Sequence, residues 1–455
     1  MKAIIKRLLL LIHKFQSHFN PTAVIIMSFL LFILIGSILL SLPIATEARI
    51  ATPYVDALFT ATSATCITGL VVVDTAPYWS TFGEVVILLL IQIGGLGFIT
   101  LATFFLTIAG RKTGLKSMML TMESLNVPEL QQAIPLMRQI FIIVFCVELT
   151  GAMILSIAFV PEFGWKGFYY GVFHAVSAFC NAGFDVISEG SGSLRGYIGR
   201  PLVIFTISLL AIIGGLGFIV WKDLLDYKNR KKLLVHTRIV LVLTAVLLIV
   251  GTLFLYAVES NGALAGLSEG EKISASFFMS VNSRSSGFTS FNPNDMRPIS
   301  KAFIVLLMFI GGASGSTAGG IKINTLGIMI IAILCVIRSQ EDTIFLKKRI
   351  PRQVVLKAFS ITLLAGIMVV ALTFLLNLIQ PELSLIDALF ESVSGFATVG
   401  LSTGITPSLA TGNKLLLIFS MFAGRVGPLS FGLAFSMMKR ENRNTVYPEG
   451  KFIVG

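Results

Sequence analysis

Long apolar runs, separated by short polar or charged segments, divide this chain into elements that are too hydrophobic for an aqueous surface. The runs between Pro21 and Pro43 and between Arg238 and Val258 hold no acidic or basic residue in their interior. Apolar runs of about 18 residues or more predict helices that cross a membrane. The pattern predicts eight such spans, at 22–42, 81–109, 136–160, 201–220, 237–258, 301–336, 353–379 and 412–438.

Shorter apolar segments alternate with these spans. The first, Pro53–Thr65, would be a helix of roughly 20 Å, which cannot cross a hydrocarbon core of roughly 30 Å. The matching segments are Trp165–Phe179, Glu269–Asn282 and Pro381–Phe396. A half-length helix followed by a polar turn is typical of a re-entrant pore loop. For one segment alone, an amphipathic helix on the membrane surface is the alternative, but four in register favour the pore loop.

Each short segment leads into a polar turn that ends in glycine followed by Leu or Phe. We call these the glycine turns; they are Cys66–Leu70, Cys180–Phe184, Arg284–Phe288 and Ala397–Leu401. Successive turn glycines are separated by 114, 104 and 113 residues. One motif repeated at near-constant spacing predicts four copies of one structural unit. Four copies around an axis would direct backbone carbonyls to a shared centre, which is how a potassium filter replaces an ion's hydration shell.

We therefore predict a selectivity filter whose common ligands are backbone carbonyls. Its residues are Ile67, Thr68, Gly69, Asn181, Ala182, Gly183, Ser285, Ser286, Gly287, Thr398, Val399 and Gly400. The side-chain oxygens of Thr68, Asn181, Ser285, Ser286 and Thr398 are optional further ligands. Ordinary turn chemistry is the alternative explanation for these polar side chains.

Glycines also mark the second span of each unit, at Gly94, Gly214, Gly311 and Gly424. In the first two units we interpret them as sites of close helix packing. The third unit differs, because half of residues 311–320 are glycine, and such a stretch does not hold a helix. We predict a broken helix with halves near 302–310 and 321–336. A flexible polar loop on the cytoplasmic side of the filter would open or block the pathway.

Arg425 is predicted to lie inside the last span, where a charge is costly and usually faces a cavity or a partner. Its spacing from Gly400 places it level with the glycine-rich stretch. We therefore predict that Arg425 contacts carbonyls of that loop, helps to hold a gate and repels cations; a purely structural role is the alternative. The predicted gate residues are Gly311, Gly312, Ala313, Ser314, Gly315, Ser316, Thr317, Ala318, Gly319, Gly320, Lys322 and Arg425. For Lys322 the alternative is that it snorkels toward the cytoplasm.

Composition and charge agree with a membrane protein. The chain is 55% hydrophobic and 13% charged, whereas soluble domains carry about 25% charged residues. The net charge of +12 is concentrated at the two termini and in connecting segments on one side. The positive-inside rule then places both termini in the cytoplasm and makes nucleic acid an improbable partner. We see no cleavable signal peptide, and no Cys or His pattern typical of a metal site.

The predicted fold is an all-α polytopic membrane protein, with four pseudo-repeated span–pore-loop–span units around a central pore. It has eight spans and cytoplasmic termini. Units 1 to 4 are residues 21–110, 136–222, 236–337 and 353–438. The cytoplasmic segments are 1–20, 111–135, 223–235, 338–352 and 439–455.

Three other classes of membrane protein compete with a gated pore. An alternating-access cation symporter also uses broken helices, but carrier repeats are typically inverted or two-fold; it is the main alternative. A voltage-gated channel needs Arg-rich spans, and no predicted span has more than one buried basic residue. An enzyme or ATP-driven pump lacks support, because we find neither a nucleotide loop nor paired carboxylates inside a span.

These motifs resemble the Trk/Ktr/HKT superfamily of potassium transporters over almost the whole chain. The length and the segment GGASGSTAGGIK are most similar to the membrane subunits of Ktr systems. The resemblance implies K⁺ uptake across the cell membrane, with Na⁺ as a candidate activator and no covalent cofactor. It also implies K⁺ preference, because Na⁺-preferring members have Ser at the position of Gly69. Gly311–Gly320 corresponds to the family's intramembrane gate, and Arg425 to its fourth-repeat Arg.

The same resemblance implies an assembly. Such subunits form homodimers in the lipid bilayer, each with its own pore, on a cytosolic ring of RCK-type subunits of the KtrA or KtrC kind. The regulatory nucleotide binds that ring, not this chain. Candidate docking segments are the basic stretches Lys222–Lys232, Arg338–Arg352 and Lys439–Gly455. Topology alone would also explain their charge.

Overall fold

The computed structural model describes residues 21–97, 130–187 and 193–427, and these are almost entirely helical. Four long helices begin the four units: α1 (Pro21–Ser41), α5 (Leu130–Phe163), α10 (Val235–Glu259) and α14 (Arg352–Ile379). Each is long and apolar enough to cross a membrane. Between 28% and 44% of the most apolar window of each is buried in the protein, so most of its surface is left to face lipid.

Four short helices lie inside this outer layer, one in each unit. They are α2 (Tyr54–Thr65), α6 (Trp165–Phe179), α11 (Glu269–Asn282) and α15 (Leu385–Phe396). Their 12 to 15 residues correspond to about 18–23 Å. Asp56, Glu269, Glu271 and Asp387 stand in first turns, where a carboxylate stabilises the helix dipole. The predicted short helices are thus present, with the fourth beginning at Leu385 instead of Pro381.

The second helices of the units are shorter than predicted. They are α4 (Thr81–Leu96), α7 (Pro201–Leu216), α12 (Pro298–Phe309) with α13 (Ile323–Ile337), and α16 (Thr411–Val426). Sixteen residues rise about 24 Å, less than a hydrocarbon core. Gly97, Gly217 and Gly427 end α4, α7 and α16 with φ of +77°, +88° and +95°, values that favour glycine.

A break like the one predicted for unit 3 also occurs in unit 2. After Gly217 the chain turns by 94° into α8 (Phe218–Leu225), which α9 (Tyr227–Arg230) follows. The predicted continuous span 201–220 is wrong, because the glycine directs the chain out of the helix axis. Among the described residues, four helices qualify as spans, or five when the bent pair is counted as one. The ends of predicted spans 81–109 and 412–438 lie outside the described residues.

The remaining elements are small. Helix α3 (Thr75–Tyr78) precedes α4, and a hairpin of β1 (Ile344–Phe345) and β2 (Lys348–Arg349) joins α13 to α14. The strands are antiparallel, with Ile344 opposite Arg349 and Phe345 opposite Lys348.

Polar side chains connect the second helix of one unit to the short helix of the next. Lys301 Nζ lies 3.0 Å from Asp387 Oδ1, and Lys414 Nζ lies 2.7 Å from Asp56 Oδ1. Both lysines are fourth in their helix and both aspartates are third in theirs. The side chains are 9–18% exposed, so these ion pairs are mostly shielded from water.

The other two junctions between units use different chemistry. At the junction of units 1 and 2, Tyr169 donates a 3.0 Å hydrogen bond to Glu84 Oε2. At the junction of units 2 and 3, the rings of Phe205 and Phe277 pack with centroids 5.8 Å apart. Units 1 to 4 therefore follow one another around a closed circle.

Replacing Lys414 by Ala should destabilise the protein strongly, because it leaves Asp56 in a largely buried site without its partner. Breaking a buried ion pair costs about 3 kcal/mol or more. The exposed pair of Arg349 with Asp342, whose side chains are 69% and 42% exposed, is the matched control, since such pairs contribute about 0–1 kcal/mol. Thermal unfolding in detergent should show a large decrease in midpoint for Lys414→Ala and little change for Arg349→Ala. Equal midpoints would contradict this role for the buried pair.

Candidate ion pathway

The four glycine turns form a closed ring. A methyl group added to any of their glycines would collide with the carbonyl oxygen that precedes the glycine of the next unit. The colliding pairs are Gly69 with Ala182 O, Gly183 with Ser286 O, Gly287 with Val399 O, and Gly400 with Thr68 O. Because the last contact returns to unit 1, backbone lies directly against backbone around the whole circle.

The conformation of the turns explains why glycine stands there. Gly69, Gly183, Gly287 and Gly400 have φ between +70° and +90°, a region that other residues enter only at a cost. Two residues earlier, Ile67, Asn181 and Thr398 also have positive φ, from +50° to +57°. The sign of φ thus alternates along three of the turns, and such alternation gathers successive peptide dipoles on one side.

Serines on the short helices hold three of the turns in place. Ser63 Oγ accepts a 3.0 Å hydrogen bond from Gly69 N, and Ser394 Oγ accepts one of 3.1 Å from Gly400 N. Ser177 Oγ donates to Phe184 O at 2.9 Å. These serines were not among the predicted site residues, although each stands six residues before its turn glycine and the recurrence is visible in the sequence.

Unit 3 departs from this arrangement. Val281 occupies the serine position, and the amides of Ser285, Ser286 and Gly287 all donate to Asn282 O at 3.1–3.3 Å. The third turn is therefore tightened around one carbonyl instead of being anchored by a hydroxyl.

The hydroxyls of the turns divide into two groups. The side-chain oxygens of Thr68, Ser286 and Thr398 are buried and have no hydrogen-bond partner among the described residues. In contrast, Ser285 Oγ donates to Asn181 Oδ1 at 2.9 Å, so these two side chains are engaged with one another. A buried polar atom without a partner is costly, so the three hydroxyls of the first group are candidates for a ligand.

Glycines of the second helices allow close packing beneath the turns. A methyl group on Gly94, Gly214 or Gly424 would collide with Thr65 O, Phe179 O or Phe396 O, respectively. Each of these carbonyls stands four residues before a turn glycine, at the end of a short helix. At these glycines the second helices meet the short helices backbone against backbone, which is the packing role predicted for Gly94 and Gly214.

Residues 311–320, the glycine-rich loop of unit 3, contact the two neighbouring units of the ring. In unit 2, Ala313 N donates to Gly215 O at 2.9 Å, and Thr317 Oγ1 donates to Phe179 O at 3.0 Å. In unit 4, Gly319 lies against Thr398. Units 2 and 4 are the neighbours of unit 3 in the ring, so the loop is held on both sides of its own unit.

Three cationic side chains donate hydrogen bonds to carbonyls of the glycine-rich loop. Arg425 donates from one nitrogen to Thr317 O at 2.7 Å and from the other to Gly94 O. Lys322 Nζ donates to Ala318 O at 2.5 Å. Arg284, which the sequence analysis did not select, donates to Gly311 O at 3.3 Å. Arg425 thus joins the fourth unit, the loop and the first unit through one guanidinium group.

The chain is similar to known transport proteins over nearly its whole length. A family model described as "TrkH: Cation transport protein" matches residues 3–446. The chain belongs to the TrkH cation transport family. Like that family, it is a multi-pass membrane transporter and not an enzyme.

Relatives with assigned names align with nearly the whole chain. "Ktr system potassium uptake protein B" of Bacillus subtilis is 39% identical over 440 residues, which are 96% of this chain and 97% of that protein. "Potassium/sodium uptake protein NtpJ" of Enterococcus hirae is 38% identical over 448 residues, 97% of this chain and 98% of that one. The crystal structure of the potassium transporter TrkH from Vibrio parahaemolyticus superposes with a TM-score of 0.71 at 16% identity, covering 91% of this chain and 84% of that one. This structural match shows the same fold.

Gly400→Ala should abolish most cation transport, whereas Gly404→Ala should not. The two glycines have almost the same φ, +90° and +91°, so an added methyl group is equally strained in both. Only at Gly400 would it collide with a neighbouring turn, since nothing lies within 4 Å of the Cβ position at Gly404. Cation uptake at matched membrane expression measures the difference. A similar loss in both variants would show that strain, and not the ring contact, is responsible.

Proposed function

We propose that this chain is the ion-conducting subunit of a Ktr-type K⁺ uptake system. The glycine turns form its selectivity filter and the glycine-rich loop is its gate. The observation that carries the proposal is the closed ring of four glycines against four carbonyls. Its relatives' names, which include potassium uptake and potassium/sodium uptake, supply the substrate class.

K⁺ enters as the transported ion, and Na⁺ is proposed as an activator. A ring of carbonyl oxygens replaces the hydration shell of a K⁺ ion, and the unpartnered hydroxyls of Thr68, Ser286 and Thr398 add oxygen ligands of the same hard character. Gly69, with φ of +89°, keeps the first turn in the conformation that the ring needs. The membrane potential drives uptake with about 2.3 kcal/mol per charge for each 100 mV.

The glycine-rich loop is proposed to close the pathway in this conformation, because it contacts units 2 and 4 and is linked to unit 1 through Arg425. Arg425 stabilises the closed state, since its two donated hydrogen bonds tie the loop to units 1 and 4. Its charge also repels cations that leave the filter. Opening requires the loop to leave these partners, and hydrogen bonds to a charged group contribute about 1.5–3 kcal/mol each. The gate is therefore a two-state element with a modest energy difference.

The proposed assembly follows the Ktr relatives. The chain forms a homodimer with one pore per subunit in the cell membrane, both termini are cytoplasmic, and a nucleotide-binding ring of the KtrA kind docks on the cytoplasmic face. The hairpin at 341–351 supports a docking role, because it presents Lys347, Lys348 and Arg349 together with the exposed apolar side chains of Ile344 and Leu346. The proposed docking stretch 222–232 begins in α8, and the tail 439–455 lies outside the described residues.

Gly69→Ser should weaken the preference for K⁺ over Na⁺. A side chain at φ of +89° is strained, and its Cβ would collide with Ala182 O, so the carbonyl ring must distort. Growth and K⁺ uptake in a bacterial strain without its own K⁺ uptake, with and without the ring subunit and Na⁺, measure the effect; Gly404→Ser is the control. No K⁺ uptake by the wild type under any condition, despite confirmed expression, would refute the proposed function.

Arg425→Ala should raise the resting K⁺ flux by about tenfold or more, the equivalent of one lost charge-assisted hydrogen bond. The substitution removes both the hydrogen bond to Thr317 O and a positive charge near the proposed pathway. Both changes should increase the K⁺ flux. Flux into proteoliposomes without the regulatory ring is the measurement, with the exposed Arg349→Ala as control. A wild-type flux in Arg425→Ala would contradict the proposal that Arg425 stabilises the closed gate.

A further inference from the structure

In the described part of the chain, a side-chain hydrogen bond joins the glycine turn of unit 2 to the glycine-rich loop of unit 3. Asn181 Nδ2 donates to Thr317 Oγ1 at 2.8 Å, although the two residues are 136 positions apart in the sequence. Both side chains are fully buried. A hydrogen bond made away from water is sensitive to small displacements of either partner.

Both the hydroxyl and the backbone carbonyl of Thr317 make hydrogen bonds. Its hydroxyl accepts from Asn181 and donates to Phe179 O at 3.0 Å, and both of those residues belong to unit 2. Its carbonyl accepts from Arg425 at 2.7 Å. Thr317 therefore connects the end of a short helix, a glycine turn and Arg425. The loop cannot move away without breaking all three contacts.

Both polar atoms of the Asn181 side chain are also hydrogen-bonded. With φ of +57°, it has the left-handed conformation that Asn tolerates better than most residues. Its amide nitrogen bonds Thr317 and its amide oxygen accepts from Ser285 in the third turn. A chain of hydrogen bonds thus runs from the third turn through the second turn to the glycine-rich loop.

The Asn181–Thr317 pair packs tightly against Gly214. A methyl group on Gly214 would lie 2.9 Å from both Asn181 Nδ2 and Thr317 Oγ1. The other turns do not repeat the bond: the position of Asn181 is occupied by the apolar Ile67 in unit 1, and by Thr398, whose hydroxyl has no partner, in unit 4. The link is therefore a specific feature of unit 2.

We propose that the Asn181–Thr317 hydrogen bond couples the gate to the filter. When the loop leaves, Asn181 loses its partner and the second and third turns relax, so the affinity of the filter for its ion depends on the position of the gate. This inference rests on the proposed function of the ring and the loop. Thr317 is a positioning residue in this scheme, because it acts on the ion through Asn181.

The test compares Thr317→Val, which has the same shape without the hydroxyl, with Thr317→Ser, which keeps it. We expect Thr317→Val to raise the resting K⁺ flux about 2- to 10-fold, the range that one buried hydrogen bond supplies, and to shift the KM for K⁺. Thr317→Ser should resemble the wild type. Thr373→Val is the matched control, because it also removes a buried hydroxyl, which donates to Val369 O at 2.9 Å within α14 and not to a glycine turn or the loop.

A double-mutant cycle separates coupling from a purely structural role. Asn181→Gly removes the amide but accepts a positive φ, and it should shift the KM in the same direction as Thr317→Val. If the two residues act through one bond, the double variant should change flux and KM no more than the larger single change. Additive effects, or a wild-type flux and KM in Thr317→Val, would overturn the coupling.

The outcomes for coupling and for function are distinguishable. Absence of K⁺ uptake by the wild type would refute the proposed function, whereas normal wild-type uptake with an unchanged Thr317→Val would refute only the coupling. Should Thr317→Val not yield a monodisperse protein in detergent, Thr317→Ala replaces it in the same cycle and is judged by the same criteria.

Discussion

Direct contact between backbones, with no side chain between them, is the constraint on which this structure depends. It occurs around the ring, where each turn glycine faces the carbonyl of the next unit, and beneath it, where Gly94, Gly214 and Gly424 face the ends of the short helices. Irregular backbone is stable at membrane depth only when protein or a water-filled cavity surrounds it. Glycine allows the four units to approach closely enough to provide that environment for one another.

Cationic side chains of units 3 and 4 satisfy carbonyls of the glycine-rich loop. The glycine-rich loop cannot use helical hydrogen bonds, so its carbonyls accept from Arg284, Lys322 and Arg425. Such bonds compensate for burying both the charge and the carbonyl. Because they come from side chains instead of a continuous helix, they can break and re-form, and a movable segment at this depth becomes possible.

Departures from four-fold symmetry are concentrated at units 2 and 3. Unit 3 has Val281 where the others have an anchoring serine, and its second helix is divided between α12 and α13. Unit 2 supplies Asn181 and Phe179 as partners of Thr317, and its junction with unit 3 packs aromatic rings where the other junctions have ion pairs or a hydrogen bond. Two of these differences, the divided helix of unit 3 and the partners of Thr317 in unit 2, involve the glycine-rich loop directly.

Local pattern in the sequence determined the short helices, the glycine turns and the broken helix of unit 3, because apolar periodicity and glycine content act within a few residues. The spacing of the turns also indicated four equivalent units, and the lone Arg425 marked a polar contact. Only the tertiary structure decided that Asn181 and Ser285 bond one another, that Arg284 reaches Gly311, and that Gly217 turns the chain by 94°. The first contact joins two units over 104 positions and the second spans 27 positions within one unit. Periodicity reports only on residues a few positions apart, so it cannot give contacts of this range or the direction in which a helix resumes after a break.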